Sequence, residues 1–198
     1  MNTLALLGTV FGLAFSAGLN LYATVLVTGL AVRLDWVSLP QNLSSLEALG
    51  HPVVLGAAAL LYAVEFLADK IPAVDHLWDA AHSVIRPAGA AWIAWRAAGG
   101  SGLSEPAEIA LLLAAGGIAL TTHATKATTR VAVGATGGHA LGLGVGLSLL
   151  EDVVAFIVSP LAILIPILIL LLVVVTLAFA GWVVWRLARR RRLRRQAA

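Results

Sequence analysis

Charged side chains interrupt the most apolar stretches of this 198-residue chain. In a membrane such groups are costly unless they face one another or a polar cavity, so they mark candidate functional sites. Glu65 and Asp69 are four residues apart, on one face of a helix, with Lys70 beside them. Glu65 is the deeper acid. It suits a ligand for a proton or cation, or equally a structural carboxylate paired with Lys126 or Arg130.

A second set of polar residues, Asp75, Asp79, His82 and Arg86, recurs at helical spacing and falls within one arc of a helix. Such a stripe could line a hydrophilic path, bind a metal through Asp79 and His82, or hold a phosphate through Arg86. The leading alternative is the water-exposed face of an amphipathic helix lying at the membrane interface.

A third set surrounds Lys126 and Arg130, two like charges four residues apart in a threonine-rich helix. Buried cations require an anion, which is either a carboxylate from a neighbouring helix or an anionic substrate. The candidate carboxylates are those of Glu65, Glu151 and Asp152. Taken together, the candidate substrate- or ion-binding residues are Asn20, Thr24, Glu65, Asp69, Asp79, His82, Arg86, His123, Lys126, Arg130, Glu151 and Asp152.

The composition indicates which elements must position these groups. Hydrophobic residues make up 60% of the chain, charged residues 12%, and mean hydropathy is +0.95. Because a bilayer crossing takes roughly 20 apolar residues, an all-α membrane protein with about six transmembrane helices is predicted. The predicted spans cover residues 4–32, 53–68, 73–99, 106–133, 139–159 and 161–186. The first is too long for one straight crossing and is predicted to break around Ser16 to Asn20, whereas Pro160 is expected to separate the last two and Pro166 to kink the last.

A weak internal similarity suggests a repeat within a single transmembrane domain over residues 1–188. Tyr22-Ala23-Thr24 matches His123-Ala124-Thr125, and an acid before a proline follows in each half. Halves of three spans each, about 1–99 and 104–188, would form the inverted repeat of many secondary transporters. Chance similarity in a chain rich in Ala, Leu and Thr is the alternative.

The C-terminal tail, residues 189–198, governs the charge balance. Of the 13 basic residues, seven lie in the last thirteen positions. Directly after a span, such a cluster places the C-terminus in the cytoplasm and favours contact with anionic lipid rather than nucleic acid. An even number of spans would bring the N-terminus to the same side and leave the loop over 34–50 in the periplasm.

Four sequence blocks resemble a bacterial integral-membrane family described as domain of unknown function 4126. The blocks are Gly18–Thr24, Glu65–Asp75, Trp78–His82 and Arg86-Pro87. The resemblance implies a six-helix type of protein in the inner membrane, but it brings no activity with it.

The residues therefore favour a small transporter or channel for a small ion or an anionic solute, coupled to a proton or a cation. We expect a homo-oligomer, because six short helices enclose little space. The alternatives are a scaffold or assembly factor and a metal-dependent lipid-modifying enzyme that uses Asp75, Asp79 and His82. Since zinc-protease and serine-hydrolase motifs are absent from the sequence, no enzyme is positively supported, and we expect no cofactor and no metal.

Overall fold

The computed structural model describes residues 3–68, 71–135 and 143–196. In these ranges the chain forms α-helices and one 3₁₀ helix, without a strand. The elements are α1 (Thr3–Leu19), α2 (Leu21–Arg33), a 3₁₀ helix (Gln41–Gly50), α3 (Pro52–Ala68), α4 (Pro72–Ala98), α5 (Glu105–Ala135), α6 (Leu143–Leu164) and α7 (Pro166–Gln196). The predicted all-α fold is confirmed. Asp69 and Lys70 lie outside the described residues.

Several helices are suited to a bilayer. Three are long and apolar enough to cross one: α5, α6, and α7 over Pro166–Arg186. The 3₁₀ helix and α3, which meet at 60°, qualify as a fourth when taken together, and α1 and α2 are shorter apolar helices. The protein is therefore membrane-embedded, while the predicted count of six spans stays a prediction.

The first apolar segment breaks at Asn20, as predicted, and α1 then runs antiparallel to α6. Asn20 Nδ2 donates to Asp152 Oδ1 in the middle of α6, at 2.9 Å. Nearer the start of α1, Gly12 is so close to α6 that an added Cβ would lie 2.7 Å from the Cβ of Ala162. Moving back along α1 thus means moving forward along α6.

α2 turns back and follows α6 in the other direction. Its residue Ala31 shares a buried apolar cluster with Val37 and Ile163, near the end of α6. At the turn, Thr24 Oγ1 lies 2.9 Å from Ser16 Oγ, one residue on each helix. The two helices therefore form an antiparallel hairpin with Asn20 at its tip. We call them the α1–α2 hairpin.

Other contacts define the two ends of the bundle. The 3₁₀ helix packs beside the end of α2, where Arg33 Nη1 donates to Gly50 O at 3.2 Å. It also meets the end of α4, where Arg96 Nη2 donates to Ser45 O at 3.0 Å. We call this the loop end. α7 starts there and runs away from it, so that its last residues define the tail end.

Two sequence predictions concern the ends of the bundle and the internal repeat. The N-terminus was expected on the same side as the arginine tail, yet Gly8 lies against Pro166, where α7 begins at the loop end. The first residues of α1 and the last described residues of α7 thus lie at opposite ends of the bundle, because α2 returns alongside α1. α1 and α3 have the same length of 17 residues, so helix length alone does not count the spans of the first half, and the inverted repeat stays a prediction.

The boundary between the last two helices also differs from the prediction. Pro160 lies inside α6, and the helix ends at Leu164. α7 starts at Pro166, a position that suits proline because the first N–H groups of a helix have no partner within it. Pro166 therefore breaks the chain where a kink was expected.

Candidate ion site at the hairpin tip

Asn20 ends α1 and caps α2 with one side chain. Its backbone is extended, with φ of −151° and ψ of 107°, and its Oδ1 accepts the N–H of Ala23 at 2.9 Å. The other side of the amide donates to Asp152, whose second oxygen lies 3.4 Å from the hydroxyl of Tyr62. An Asn with both an acceptor and a donor thus starts a new helix and contacts the neighbouring α6 at once.

The break frees main-chain carbonyls at the end of α1, and two cations take them. Arg86 Nη1 donates to Gly18 O at 2.8 Å, and Lys126 Nζ donates to Leu19 O at 3.1 Å. Free carbonyls away from water need such partners. Because the C-terminal end of a helix carries partial negative charge, cations are also electrostatically favoured there.

Arg86 forms a buried ion pair with Glu65 of α3, and neither side chain is exposed to solvent. The Nδ1 atom of His123 lies 3.0 Å from Arg86 Nη1. Since a guanidinium only donates, this nitrogen must accept, and Nε2 carries the proton. Nε2 in turn lies 3.0 Å from the carbonyl oxygen of Asp79. The neighbours thus select one tautomer of His123.

A second group of ion pairs lies next to the Glu65–Arg86 pair and includes Lys126 and Arg130 of α5. Glu151 Oε2 lies 3.2 Å from Lys126 Nζ and 2.7 Å from Arg130 Nη2, so one oxygen serves both cations. The side chain of Glu151 is 13% exposed. The carboxylate of Glu151 is thus the anion that the like charges of Lys126 and Arg130 require.

His82 is oriented in the same way on the other side of the hairpin. Its Nδ1 lies 2.8 Å from the carbonyl of Trp78, and its Nε2 lies 3.2 Å from the hydroxyl of Tyr22. A carbonyl only accepts, so Nδ1 carries the proton and Nε2 accepts from the tyrosine. The imidazole therefore connects α4 to α2.

Most of the predicted residues come together at the tip. We call this set the tip cluster: Asn20, Glu65, Arg86, His123, Lys126, Arg130, Glu151 and Asp152. Thr24 belongs to the turn itself, since its hydroxyl donates to Asn20 O at 2.8 Å. Asp69 is outside the described residues and is not placed. Glu65 forms an ion pair with Arg86, a partner that the sequence analysis had not named for it.

The leading alternative for the polar stripe of α4 is wrong. Asp79, His82 and Arg86 are buried rather than water-exposed, because α4 turns this face toward the hairpin and α5. The side chain of Asp75 is outside the description. Among the described residues, no three His, Asp or Glu side chains come close enough to hold a metal ion.

Sequence reasoning missed Tyr62 and Ser16 as parts of the site. Ser16 Oγ donates to Ala155 O at 3.1 Å and so joins α1 to α6. Tyr62 is one turn before Glu65 on α3, and this spacing from a buried acid was the signal that could have found it.

A family profile described as "Domain of unknown function (DUF4126)" matches residues 7–186. The chain belongs to this family. The match covers every residue of the tip cluster, so the cluster lies within the DUF4126 domain. Neither a search of curated proteins nor one of solved structures finds a match to the chain.

Proposed function

We propose that the protein is a small transporter or channel that moves a small ion across the bacterial inner membrane. The observation that carries the proposal is a helical hairpin that ends among buried ionisable groups. α1 and α2 have 17 and 13 residues, or about 25 and 20 Å, less than the roughly 30 Å of a hydrocarbon core. In a bilayer such a hairpin enters and returns. Irregular backbone at that depth is typical of filters and of the broken helices of transporters.

The ion pairs of the tip cluster suggest where an ion would act. A cation entering the site competes with Lys126 and Arg130 for Glu151, and an anion competes with Glu151 for the same two cations. Glu151 is partly exposed while Glu65 is fully buried, so the Glu151 group is the one that an ion reaches first. When Lys126 leaves Glu151, its hydrogen bond to Leu19 O is also released. Ion binding at Glu151 is thereby coupled to the helix break at Asn20.

The surroundings of the site support a place in the membrane with the tail in the cytoplasm. The guanidinium groups of Arg186 and Arg189 lie over the rings of Trp182 and Trp185, at 5.0 and 5.5 Å from the ring centres. Tryptophan followed by arginine is typical of the cytoplasmic interface, where the tail would meet anionic lipid. Most of the described side chains of α7 are exposed and thus accessible to lipid or to a further copy of the chain, which the proposal includes as a homo-oligomer.

Flux measurements on proteoliposomes test the function. With a potassium diffusion potential and proton, sodium, methylammonium and chloride as probes, we expect the wild type to move at least one of them. Asn20→Ala, Glu151→Gln and Lys126→Ala should each lower that flux about tenfold, since each removes part of the tip cluster. The exposed acid in Glu105→Gln is the control. No flux of any probe, or unchanged flux in Glu151→Gln and Lys126→Ala, overturns the assignment.

A scaffold or assembly factor is the second candidate. The observation in its favour is that the acids of these ion pairs already have basic partners: Glu65 pairs with Arg86, and Glu151 pairs with Lys126 and Arg130. Charges that only hold helices together need no moving ion. If Lys126→Ala lowers thermal stability strongly while no probe ion crosses the membrane, this candidate replaces the transporter.

A further inference from the structure

The carboxyl group of Asp79 is buried and forms no ion pair among the described residues. The side chain is 9% exposed, and its Oδ1 is buried without a hydrogen-bond partner in the described part of the chain. Donors are close, but they are used elsewhere. The hydroxyl of Ser83 donates to the main-chain oxygen of Asp79 at 3.1 Å, and His123 Nε2 donates to the same oxygen at 3.0 Å. A hydrogen-bond donor would stabilise such a buried carboxylate oxygen.

A groove between α4 and α5 opens beside this carboxyl group. Its volume is about 400 Å³. Asp79, Ser83 and His123 provide its polar wall, and the rest of the lining is mainly apolar, with Ala80, Leu120, Ala124, Ala127 and Val131. The groove thus offers one carboxylate next to an apolar surface.

The groove is poorly suited to a bare metal ion. Hard cations take about six or more oxygen ligands. Besides Asp79, the hydroxyls lining the groove are those of Ser83 and Thr128, and Thr128 Oγ1 already donates to Ala124 O at 2.7 Å. A single carboxylate beside apolar side chains suits a ligand that brings its own hydrogen-bond donors and an apolar body.

We propose that this groove binds an alkylammonium group, with the ammonium donating to the carboxylate of Asp79 and its carbon chain lying against Leu120 and Val131. The ammonium provides a hydrogen-bond donor and a compensating charge. Such a group comes either from the headgroup of an aminophospholipid or from a free amine. The inference goes beyond the proposed function, since the groove adjoins the tip cluster without containing Glu151, and it can be tested by binding alone.

The test uses the full chain in nanodiscs of phosphatidylglycerol, with binding of n-propylammonium measured by calorimetry. Asp79→Asn should weaken binding by at least about tenfold, because a charge-assisted hydrogen bond is lost. Asp35→Asn is the matched control: Asp35 is an exposed acid in the left-handed region, with φ of 56°, which asparagine also adopts. Ala124→Phe, which fills the groove at an exposed position, is the second variant and should also weaken binding.

The two sources of the amine are separated in nanodiscs that contain phosphatidylethanolamine. Retention of this lipid in native mass spectrometry by the wild type, and its loss in Asp79→Asn, identifies the headgroup. Propylammonium binding that the lipid does not displace identifies a free amine. Equal binding of both probes by wild type, Asp79→Asn and Ala124→Phe overturns the proposal. Binding without any flux supports the site and overturns transport, so the two failures are distinguishable.

Discussion

At the residue scale, the side chain of Arg86 joins three helices at one point. It pairs with Glu65 of α3, donates to the end of α1, and contacts His123 of α5. Its side chain is fully buried, so no water replaces a partner that is removed. A charge in such a place depends on its neighbours more than a surface charge does.

Removal of one charge from the Glu65–Arg86 pair should therefore be strongly destabilising. We expect Arg86→Gln to lower the free energy of unfolding by about 3–5 kcal/mol, because a buried charge is left without its partner. Reversible unfolding in mixed micelles measures this. The double variant with Glu65→Gln should cost less than the two single variants added together. Arg96→Gln, at the loop end, is the control, and additive effects at Glu65 and Arg86 would contradict direct coupling.

At the element scale, the position of the α1–α2 hairpin depends on glycines that let α1 approach its neighbours. A Cβ at Gly18 would lie 2.5 Å from the main-chain oxygen of Ala119 in α5, and a Cβ at Gly8 would lie 2.1 Å from that of Pro166. Both obstacles are backbone atoms, which cannot rotate away as a side chain can. Small residues thus bring the helices close enough for Lys126 to reach the carbonyl of Leu19.

Substitution of these glycines should separate tight from open positions. We expect Gly18→Ala to lower the free energy of unfolding by about 1–3 kcal/mol, because α1 and α5 must move apart. Gly117→Ala is the matched control on α5, where nothing lies within 4 Å of an added Cβ. It should be neutral, or stabilising by up to about 1 kcal/mol, since alanine favours a helix. A neutral or stabilising effect at both Gly18 and Gly117 would show that helix propensity, and not packing, decides.

At the scale of the whole molecule, the hairpin determines which side the N-terminus reaches. α1 begins beside the start of α7, and the 3₁₀ helix and the turn after α4 lie at the same end, where Gly100 approaches Asn42. The arginine tail follows α7 toward the other end. If the tail lies in the cytoplasm, as we propose, the loop end faces the periplasm.

Cysteine labelling tests this topology directly, because the chain contains no cysteine. Single cysteines at Thr3, Ser44 and Ser101 should all react with a membrane-impermeant reagent added from the periplasm. A cysteine at Ala198, after the arginine tail, should react only once the membrane is opened. Protection of Thr3 together with labelling of Ser44 would contradict the hairpin and restore a first segment that crosses the membrane.

The amino-acid sequence by itself determined the class of protein, most helix boundaries and the identity of the charged residues at the site. Composition and helical spacing are local properties, and the cost of burying charge in apolar helices holds whatever the fold. Even the break at Asn20 could be predicted, since it depends on residues next to one another.

Only the tertiary structure decided the direction of α2, the partner of each charge and the burial of the α4 stripe. A break in a helix does not determine the angle between the two helices on either side of it. Contacts between distant residues, such as Asn20 with Asp152, select the hairpin. From the sequence, several basic residues could have paired with Glu65. The packing of α3 against α4 brings Arg86 to it. The stripe containing Asp79 suits water or a neighbouring helix equally well. Its side chains are buried because α5 and the hairpin cover that face, which no periodicity in α4 alone reveals.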